Sequence, residues 1–278
     1  MQNRILRIGR CVQIVKYHVP DALVLRQERI GQNIYALTIE SREIAHEAQP
    51  GQFVHLRCGQ GDDPLLRRPL SINDVQRETG YVTFWYQVVG KGTQLLSQVQ
   101  AGECLDVMGP LGHGFQTDLS GKKVGLIGGG MGIAPLIFLG SELVKKNEVQ
   151  AFGGGRSKEL LPRFPENMDF PSELITEDGS SGKQGLVTEI LEEWLAQDAP
   201  ERFDFLYACG PRPMLAEVAR LARQAQIPLQ VSLETVMACG VGACLGCTCE
   251  GAGRAEGKRF KVCQDGPVFW AEEVNWDE

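Results

Sequence analysis

Short runs of alternating or wholly apolar positions mark the first part of the chain. CVQIV, IYALTIE, QFVHLRC, YVTFWYQVV and ECLDVMG carry β-branched and aromatic residues at strand spacing. Turn residues separate them: Pro20-Asp21, Gly31-Gln32-Asn33, Pro50-Gly51 and Gly61-Asp62-Asp63. Repeated short strands of this kind predict a small antiparallel β-barrel ending near residue 113. Glycines at 109, 112 and 114, with Pro110, then predict a hinge. From 120 to about 228 the pattern changes to strand alternating with helix. KVGLIGG, VQAFGGG and FDFLYACG read as buried strands. IAPLIFLGSELVKK reads as a helix with Pro135 in its first turn. In RPMLAEVARLARQAQ, Met214, Leu215, Val218, Leu221, Ala222 and Ala225 fall on one helical face. This alternation predicts a parallel sheet covered on both faces. Residues 229–278 differ again, with a cysteine cluster, glycines 251, 253 and 257 and an acidic end. The expected division is 1–115, 116–228 and 229–278, the last too small to hold itself together without a metal or another staple.

Composition narrows the classes. Of the 278 residues, 43% are hydrophobic and 23% charged, enough apolar surface for a packed core. The net charge is −7, and no basic block offers a face to nucleic acid. The opening MQNRILRIGRCVQIV lacks an apolar signal-peptide core, so a cytoplasmic location is expected. Val124 to Ser141 carries no charge over 18 positions, near the lower limit for a membrane span. Six of those positions are glycine and one is Pro135, so a strand, a glycine turn and a helix explain it better.

Five of the nine cysteines, Cys239, Cys244, Cys247, Cys249 and Cys263, fall within 25 residues. A disulfide framework does not suit a long chain without a secretion signal, which leaves metal or redox chemistry. The spacing C-x4-C-x2-C with a distant Cys is that of plant-type [2Fe–2S] ligation by Cys239, Cys244, Cys247 and Cys263. Gly240, Gly242 and Gly246 permit the tight curl this needs and let amides approach the sulfurs. Thr248-Cys249-Glu250 reads as extended chain leaving the loop, which carries Cys249 two residues beyond Cys247. A four-cysteine zinc knuckle and a Cys244/Cys247 dithiol pair remain open. Haem attachment does not, because Thr248 rather than His follows Cys247.

Other features offer sites for phosphate. GGGMGIAP (Gly128 to Pro135) sits between a strand and a helix, where a pyrophosphate can lie on helix amides; a plain tight turn is the alternative. Arg68-Pro69-Leu70-Ser71 offers a guanidinium for a diphosphate and a hydroxyl for a ring edge, although Arg68 also reads as a surface charge. Gly90-Lys91-Gly92-Thr93 precedes a helical run, so Thr93 is expected to cap a helix facing phosphate. No acidic residue ends the second strand of the α/β region; Gly153 to Gly155 and Arg156 stand there, leaving NAD against NADP open.

In order, RPLSI, VVGKGT, GPLGHGF, GGGMGIAPL and ACGPRPM resemble the motifs of ferredoxin-reductase-like flavoproteins. The cysteine cluster and VCQDGPVF resemble one branch of them, the electron-transfer subunits of NAD-dependent dihydroorotate dehydrogenase. The resemblance runs from about residue 10 to 270. It implies an FAD-binding barrel, an NAD-binding α/β domain and a [2Fe–2S] domain. It assigns FAD to Arg68, Pro69, Leu70, Ser71, Trp85, Tyr86, Gln87, Gly92 and Thr93. It assigns NAD to Gly128, Gly129, Gly130, Gly132 and Gly210, with Cys209 beside the nicotinamide; a buried strand-end cysteine is the other reading of Cys209. It assigns the cluster to Cys239, Cys244, Cys247 and Cys263, with Cys249 a fifth thiol able to compete. It further implies a partner subunit carrying FMN that oxidises dihydroorotate to orotate in pyrimidine biosynthesis, with two copies of each subunit in the assembly. Electrons then pass from FMN to the cluster, to FAD and to NAD+. A reductase subunit serving another partner, such as a sulfide dehydrogenase or hydrogenase, and a zinc-stapled nucleotide-binding module are the alternatives.

Overall fold

A computed structural model describes residues 17–59, 61–163, 168–196 and 202–277. The run CVQIV lies outside them. Strands β1 (Tyr17–Gly31), β2 (Ile34–Glu40), β3 (Phe53–Leu56), β4 (Arg68–Gln76), β5 (Tyr81–Gln87) and β6 (Cys104–Leu111) close into a barrel in the order β1-β2-β5-β4-β3-β6. Among the described residues every pairing in it is antiparallel. Alternation along the strands fills its interior. Leu37 and Ile39 of β2, Val54 and Leu56 of β3, and Val82 and Phe84 of β5 are buried in one cluster. Two short helices, α1 (Arg42–Glu47) and α2 (Lys91–Leu96), join the strands.

The barrel differs from expectation at two places. Pro20-Asp21 is no turn; it lies within β1, where the pairing with β6 shifts register between Val19 and Ala22. Proline has no N–H for the ladder, so a bulge suits it. The expected hinge is a packed joint. Gly109 to Leu111 belong to β6, and Leu111 pairs with Phe53. Gly112, at φ +73°, lies so near Gly266–Pro267 that a Cβ would fall 2.6 Å from the Gly266 carbonyl oxygen.

The second layer is a seven-stranded sheet. It contains β7 (Lys123–Gly129), β8 (Glu148–Gly155), β9 (Ser172–Thr176), β10 (Lys183–Gln184), β11 (Phe205–Cys209), β12 (Leu229–Ser232) and β15 (Val268–Trp270), in the order β10-β9-β8-β7-β11-β12-β15. All pairings are parallel except β12 with β15. Strand order reverses between β7 and β11, which opens a crevice at their carboxyl ends. Helix α3 (Ile133–Leu143) covers one face, while α4 (Val187–Leu195) and α5 (Arg212–Ala225) cover the other. The two faces alternate along β11: Phe205, Tyr207 and Cys209 pack with Leu136 and Leu139 of α3, whereas Leu206 and Ala208 pack with Leu215 and Val218 of α5. On α5, Leu215, Val218, Leu221 and Ala222 are buried, and Met214 and Ala225 are packed against them.

The C-terminal region is not a separate body. It leaves the sheet at β12 and returns at β15. Between them lie the cysteine curl, the hairpin β13 (Thr248–Glu250) with β14 (Arg259–Lys261), and α6 (Val262–Asp265). No helix among the described residues is long and apolar enough to cross a membrane.

Barrel and sheet meet across α3. Buried Asn73 of β4 donates its side-chain amide to the Ala134 carbonyl in the helix's first turn, at 2.9 Å. Asn73→Ala removes this link from a dry interface and is expected to cost about 1–2 kcal/mol. Urea unfolding checks it: the midpoint falls, and the barrel and sheet lose their cooperative transition together.

Candidate functional site

The signature strand β4 lies against β3, with Phe53 opposite Ser71, Val54 opposite Leu70, His55 opposite Pro69 and Leu56 opposite Arg68. A cavity of about 370 Å³ opens beside this pair. Arg68, Pro69, Leu70, Ser71, Trp85, Tyr86, Gln87 and Thr93 all line it, so the structure brings these sequence-selected residues together. The Arg68 guanidinium lies over the first turn of α2: a Cβ on Gly92 would fall 2.6 Å from its Nε. Only glycine leaves room for that cation at a helix start, and the two together suit a diphosphate. Thr93 plays a different part from the one expected. Gly90 is the cap, and Thr93 is the third helical residue; its Oγ1 accepts from the Val89 and Gly90 amides at 3.0 and 3.2 Å. Tyr86 borders the cavity, but its ring packs in the barrel interior, stacked on Tyr35.

A second cleft, of about 600 Å³, lies at the crevice where strand order reverses. Gly129, Gly130, Met131, Gly154, Gly155 and Arg156 line one side, and Pro211 and Met214 the other. Gly130 has φ +56° and open space where a side chain would stand, so its backbone is free to meet a ligand. Gly132 is a close-approach glycine: a Cβ there would lie 2.2 Å from the Cys209 carbonyl oxygen. Gly128 packs against Ile133, and a Cβ on Gly210 would meet Met214 and Gly129. These three shape the loops from behind. Gln87 and Met131 line both cavities, so the two ligand spaces meet there. Cys209 lines neither. It is 2% exposed, and burial together with the nearby Glu234 carboxylate pushes its thiol far above the usual range. It packs with Phe205 and Tyr207 against α3 in the sheet core.

The cysteines form two pairs. Cys239 Sγ accepts from the amides of Val241, Ala243 and Cys244 at 3.3–3.5 Å, and the Cys244 side chain adds a further bond. Burial raises the Cys239 thiol, but these donors outweigh it and bring it down to about 7. Cys247 and Cys263 have their sulfurs 3.2 Å apart, and Cys263 Sγ accepts from Gly242 N at 3.1 Å. Burial and the neighbouring Cys247 push Cys263 up to about 12. Among the described residues no three such groups converge on a single ion position. Two pairs of thiols within a shell of amides fit two irons that take two thiolates each. Cys249 lies on β13 opposite Phe260 and is buried in the apolar core.

Two matching family profiles cover opposite ends of the chain. One, "Iron-sulfur cluster binding domain of dihydroorotate dehydrogenase B", matches residues 234–275. The other, "Oxidoreductase FAD-binding domain", matches residues 21–115. The electron transfer subunit of dihydroorotate dehydrogenase B (NAD(+)) from Desulforamulus reducens is 40% identical over 260 residues, covering 92% of this chain and 98% of that one. Its counterpart from Caldanaerobacter subterraneus is 42% identical over 256 residues, covering 91% and 97%. The chain belongs to this family of dihydroorotate dehydrogenase B electron transfer subunits. A solved NADH-dependent reduced ferredoxin-NADP oxidoreductase, described in connection with flavin-based electron bifurcation, is similar at 31% identity with a TM-score of 0.81, covering 93% and 91%. A ferredoxin NADP+ reductase from Neisseria gonorrhoeae with FAD and NADP bound shares the fold, with a TM-score of 0.63 at 16% identity, covering 78% of this chain and 99% of that one.

Several lining residues lie outside the sequence motifs. Ser232, Leu233, Glu234, Thr235 and Met237 line the first cavity from the segment after β12, and Pro267 from the turn before β15. The only sequence signal for them is their position between a strand end and the first cluster cysteine. His55 was also unmarked. It is fully buried, and burial and the nearby Arg67 lower it to about 4, outweighing a hydrogen bond to the Cys239 backbone that favours the charged ring.

The cavity yields a direct test. Arg68→Ala takes the guanidinium out of this cavity; a charge-assisted bond from it to a diphosphate is worth about 1.5–3 kcal/mol, so FAD binding is expected to weaken roughly 10- to 100-fold. Flavin fluorescence titration of the apoprotein measures it, and an unchanged affinity would remove Arg68 from the site.

Proposed function

We propose that this chain is the electron-transfer subunit of an NAD-dependent dihydroorotate dehydrogenase, working with an FMN-containing catalytic subunit in a cytoplasmic assembly of two of each. One observation carries the reading: strand β3 touches both sites. Its residue Phe53 lines the Arg68 cavity and packs in the apolar cluster that holds Cys247 and Cys263. Two steps along, on the same outward face, His55 lies against Gly240 of the cysteine curl. A single strand therefore separates the flavin space from the thiol pairs, which suits electron transfer between them.

The geometry supports the following holders. FAD lies along Arg68, Pro69, Leu70 and Ser71, with Trp85, Tyr86, Gln87, Gly92 and Thr93 at its borders. NAD lies on Gly129 and Gly130, with Gly128, Gly132 and Gly210 shaping the loops and Cys209 a positioning residue behind them. Cys239, Cys244, Cys247 and Cys263 hold the cluster. When bound, the flavin exchanges hydride with nicotinamide and single electrons with the cluster. The chain's own work is placement. Arg68 anchors the diphosphate, the Ser71 hydroxyl meets a ring edge, and Met131 and Ala134 present apolar surface that excludes water. The amides around Cys239 favour its thiolate. Overall, oxidising dihydroorotate to orotate releases two electrons and two protons, and NAD+ takes both electrons and one proton. A ferredoxin-type partner is the second reading, favoured by the 31% likeness to the NADH-dependent reduced ferredoxin-NADP oxidoreductase. Reconstitution with an FMN subunit separates the two: dihydroorotate-dependent NADH formation supports the first, and its absence with retained NADH-driven reduction of ferredoxin the second.

The ligand assignment predicts opposite behaviour for two cysteines. Cys249→Ser is expected to keep the cluster's visible absorption and its electron paramagnetic resonance signal on reduction. Cys263→Ser is expected to lose or badly weaken both, while FAD binding and flavin reduction by NADH survive. The reverse pattern would make Cys249 the fourth ligand.

The second cleft predicts nucleotide preference. Arg156 and Glu177 both stand on it. The carboxylate can accept from ribose hydroxyls and opposes a 2′-phosphate that Arg156 would otherwise attract. NADH is expected to give the higher kcat/KM, and Glu177→Gln to narrow its lead over NADPH by roughly tenfold, the worth of one charge contact. A preference for NADPH in the unaltered protein would defeat this assignment.

A further inference from the structure

The second cleft is bordered by a loop whose shape depends on one buried hydroxyl. Thr176 is the last residue of β9 and is fully buried. Its Oγ1 donates to the Ser181 carbonyl at 2.8 Å and accepts from the Ser181 amide at 3.0 Å. Its own carbonyl accepts from the Gly179 and Gly185 amides, each at 3.1 Å. One residue thus ties down three points of the loop 177–185. The chain enters this loop at Glu177 and leaves it at Gly185. Both of those residues line the cleft, whereas 178–184 do not, so Thr176 sits at the neck that sets the cleft wall. The entry is also laid along the end of β8: the Glu177 amide donates to the Gly155 carbonyl at 3.0 Å, and the Asp178 amide to that of Arg156 at 3.2 Å. Further out, the Asp178 carboxylate accepts from the Ser180 amide and hydroxyl at 2.9 and 2.6 Å, and Ser180 Oγ accepts from the Lys158 amide at 2.8 Å. The Ser180 bonds foremost, and the Thr176 hydroxyl after them, hold Asp178 below the usual carboxylate range.

Along the cleft the loops follow the strand order, from Gly130 after β7, through Arg156 after β8, to Glu177 after β9. The β7 end meets the flavin cavity at Met131 and Gln87, so a nicotinamide lies there and the adenosine of the same molecule reaches Glu177. We propose that Thr176 is a positioning residue for dinucleotide selectivity: by closing the neck of the 177–185 loop it holds Glu177 at the adenosine end of the cleft, where the carboxylate accepts from ribose hydroxyls and repels a 2′-phosphate. The inference rests on the NAD reading of this cleft and on the Glu177 assignment above. Packing alone would be met by valine, which has the same outline and lacks only the hydroxyl. Both bonds to Ser181 lie away from the reacting end of the dinucleotide, so they act on binding rather than on turnover.

The test is steady-state reduction of ferricyanide by the FAD- and cluster-loaded chain, with NADH and with NADPH. Thr176→Val is expected to raise the KM for NADH about tenfold at unchanged kcat, and to narrow the lead of NADH over NADPH in kcat/KM about fivefold. Thr176→Ser keeps the hydroxyl and is expected to recover most of both. On a Glu177→Gln background, Thr176→Val is expected to narrow the lead no further, because the two changes act through one carboxylate. An unchanged lead in Thr176→Val overturns the proposal and leaves the threonine a packing group, even where the unfolding midpoint falls. A further narrowing on top of Glu177→Gln overturns it as well. If Thr176→Val does not fold, Gly182→Ala decides. That position is exposed, has φ +66°, and a Cβ there would run into the Leu174 carbonyl, so the change disturbs the same loop from outside the core. A narrowed lead in it supports the proposal, and an unchanged lead overturns it. An unaltered chain without a preference for NADH would defeat the Glu177 assignment itself, a result distinct from a normal preference that ignores Thr176.

Discussion

Helix α3 has no polar side to offer water over its first eight residues, and the arrangement of the two cavities follows from that. Its residues from Ile133 through Gly140 are buried, as is Leu143. The apolar side chains divide among three clusters: Phe138 enters the barrel core, Leu136, Leu139 and Leu143 enter the sheet, and Ala134 and Ile137 pack with Trp85 between them. A helix hydrophobic all round is stable only when enclosed on all sides. Enclosing it fixes barrel and sheet against each other, and fixes where its first turn opens. That turn carries Ala134 to the first cavity and follows directly on the glycine loop, whose Met131 lines both cavities. The meeting of the two cavities at Gln87 and Met131 is thus a consequence of core packing.

Much of the architecture was legible in the sequence because its signals are local. Strand alternation in IYALTIE and YVTFWYQVV, the turn at Gly31-Gln32-Asn33 and the face of α5 each depend on neighbours within a few residues. The cysteine spacing is local in the same sense, and a curl with two thiol pairs stands where it pointed. The charge-free stretch Val124 to Ser141 was ambiguous because burial in a core and burial in a bilayer leave the same composition; the glycines broke the tie. What escaped notice was non-local. Pro20-Asp21 reads as a turn until β6 is known to lie beside it with a bulge. Thr93 reads as a cap unless Gly90 is seen to take that place. The cavity residues from Ser232 to Met237 carry no pattern of their own, and a lone histidine in a strand looks like any other polar interruption.

The two chemical centres are polarised by different means. Around the first cavity the charge is a side chain, Arg68, brought over a helix start that only a glycine leaves open. Around the cysteines it is backbone: amides from Val241 to Cys244 turn toward sulfur because the glycines at 240 and 242, both at positive φ, let the chain curl. The backbone version carries no net charge, so it stabilises thiolates without adding a cation to a buried place. It also resists substitution, since the donors survive most side-chain changes provided the curl is kept.

The return of the chain at β15 has a wider bearing. Strands β12 and β15 lie side by side, with Val231 opposite Phe269 and Ser232 opposite Val268. Everything that carries the thiols is therefore an excursion from one sheet edge whose two ends are hydrogen-bonded neighbours. Segments with adjacent ends can be lengthened, shortened or exchanged with little disturbance to the body that bears them. In such an arrangement a flavin reductase acquires a one-electron outlet by insertion, with no rebuilding of barrel or sheet. The same architecture is then open to reassignment among electron donors, because what the outlet meets is written in the excursion and what it serves is written in the layers beneath.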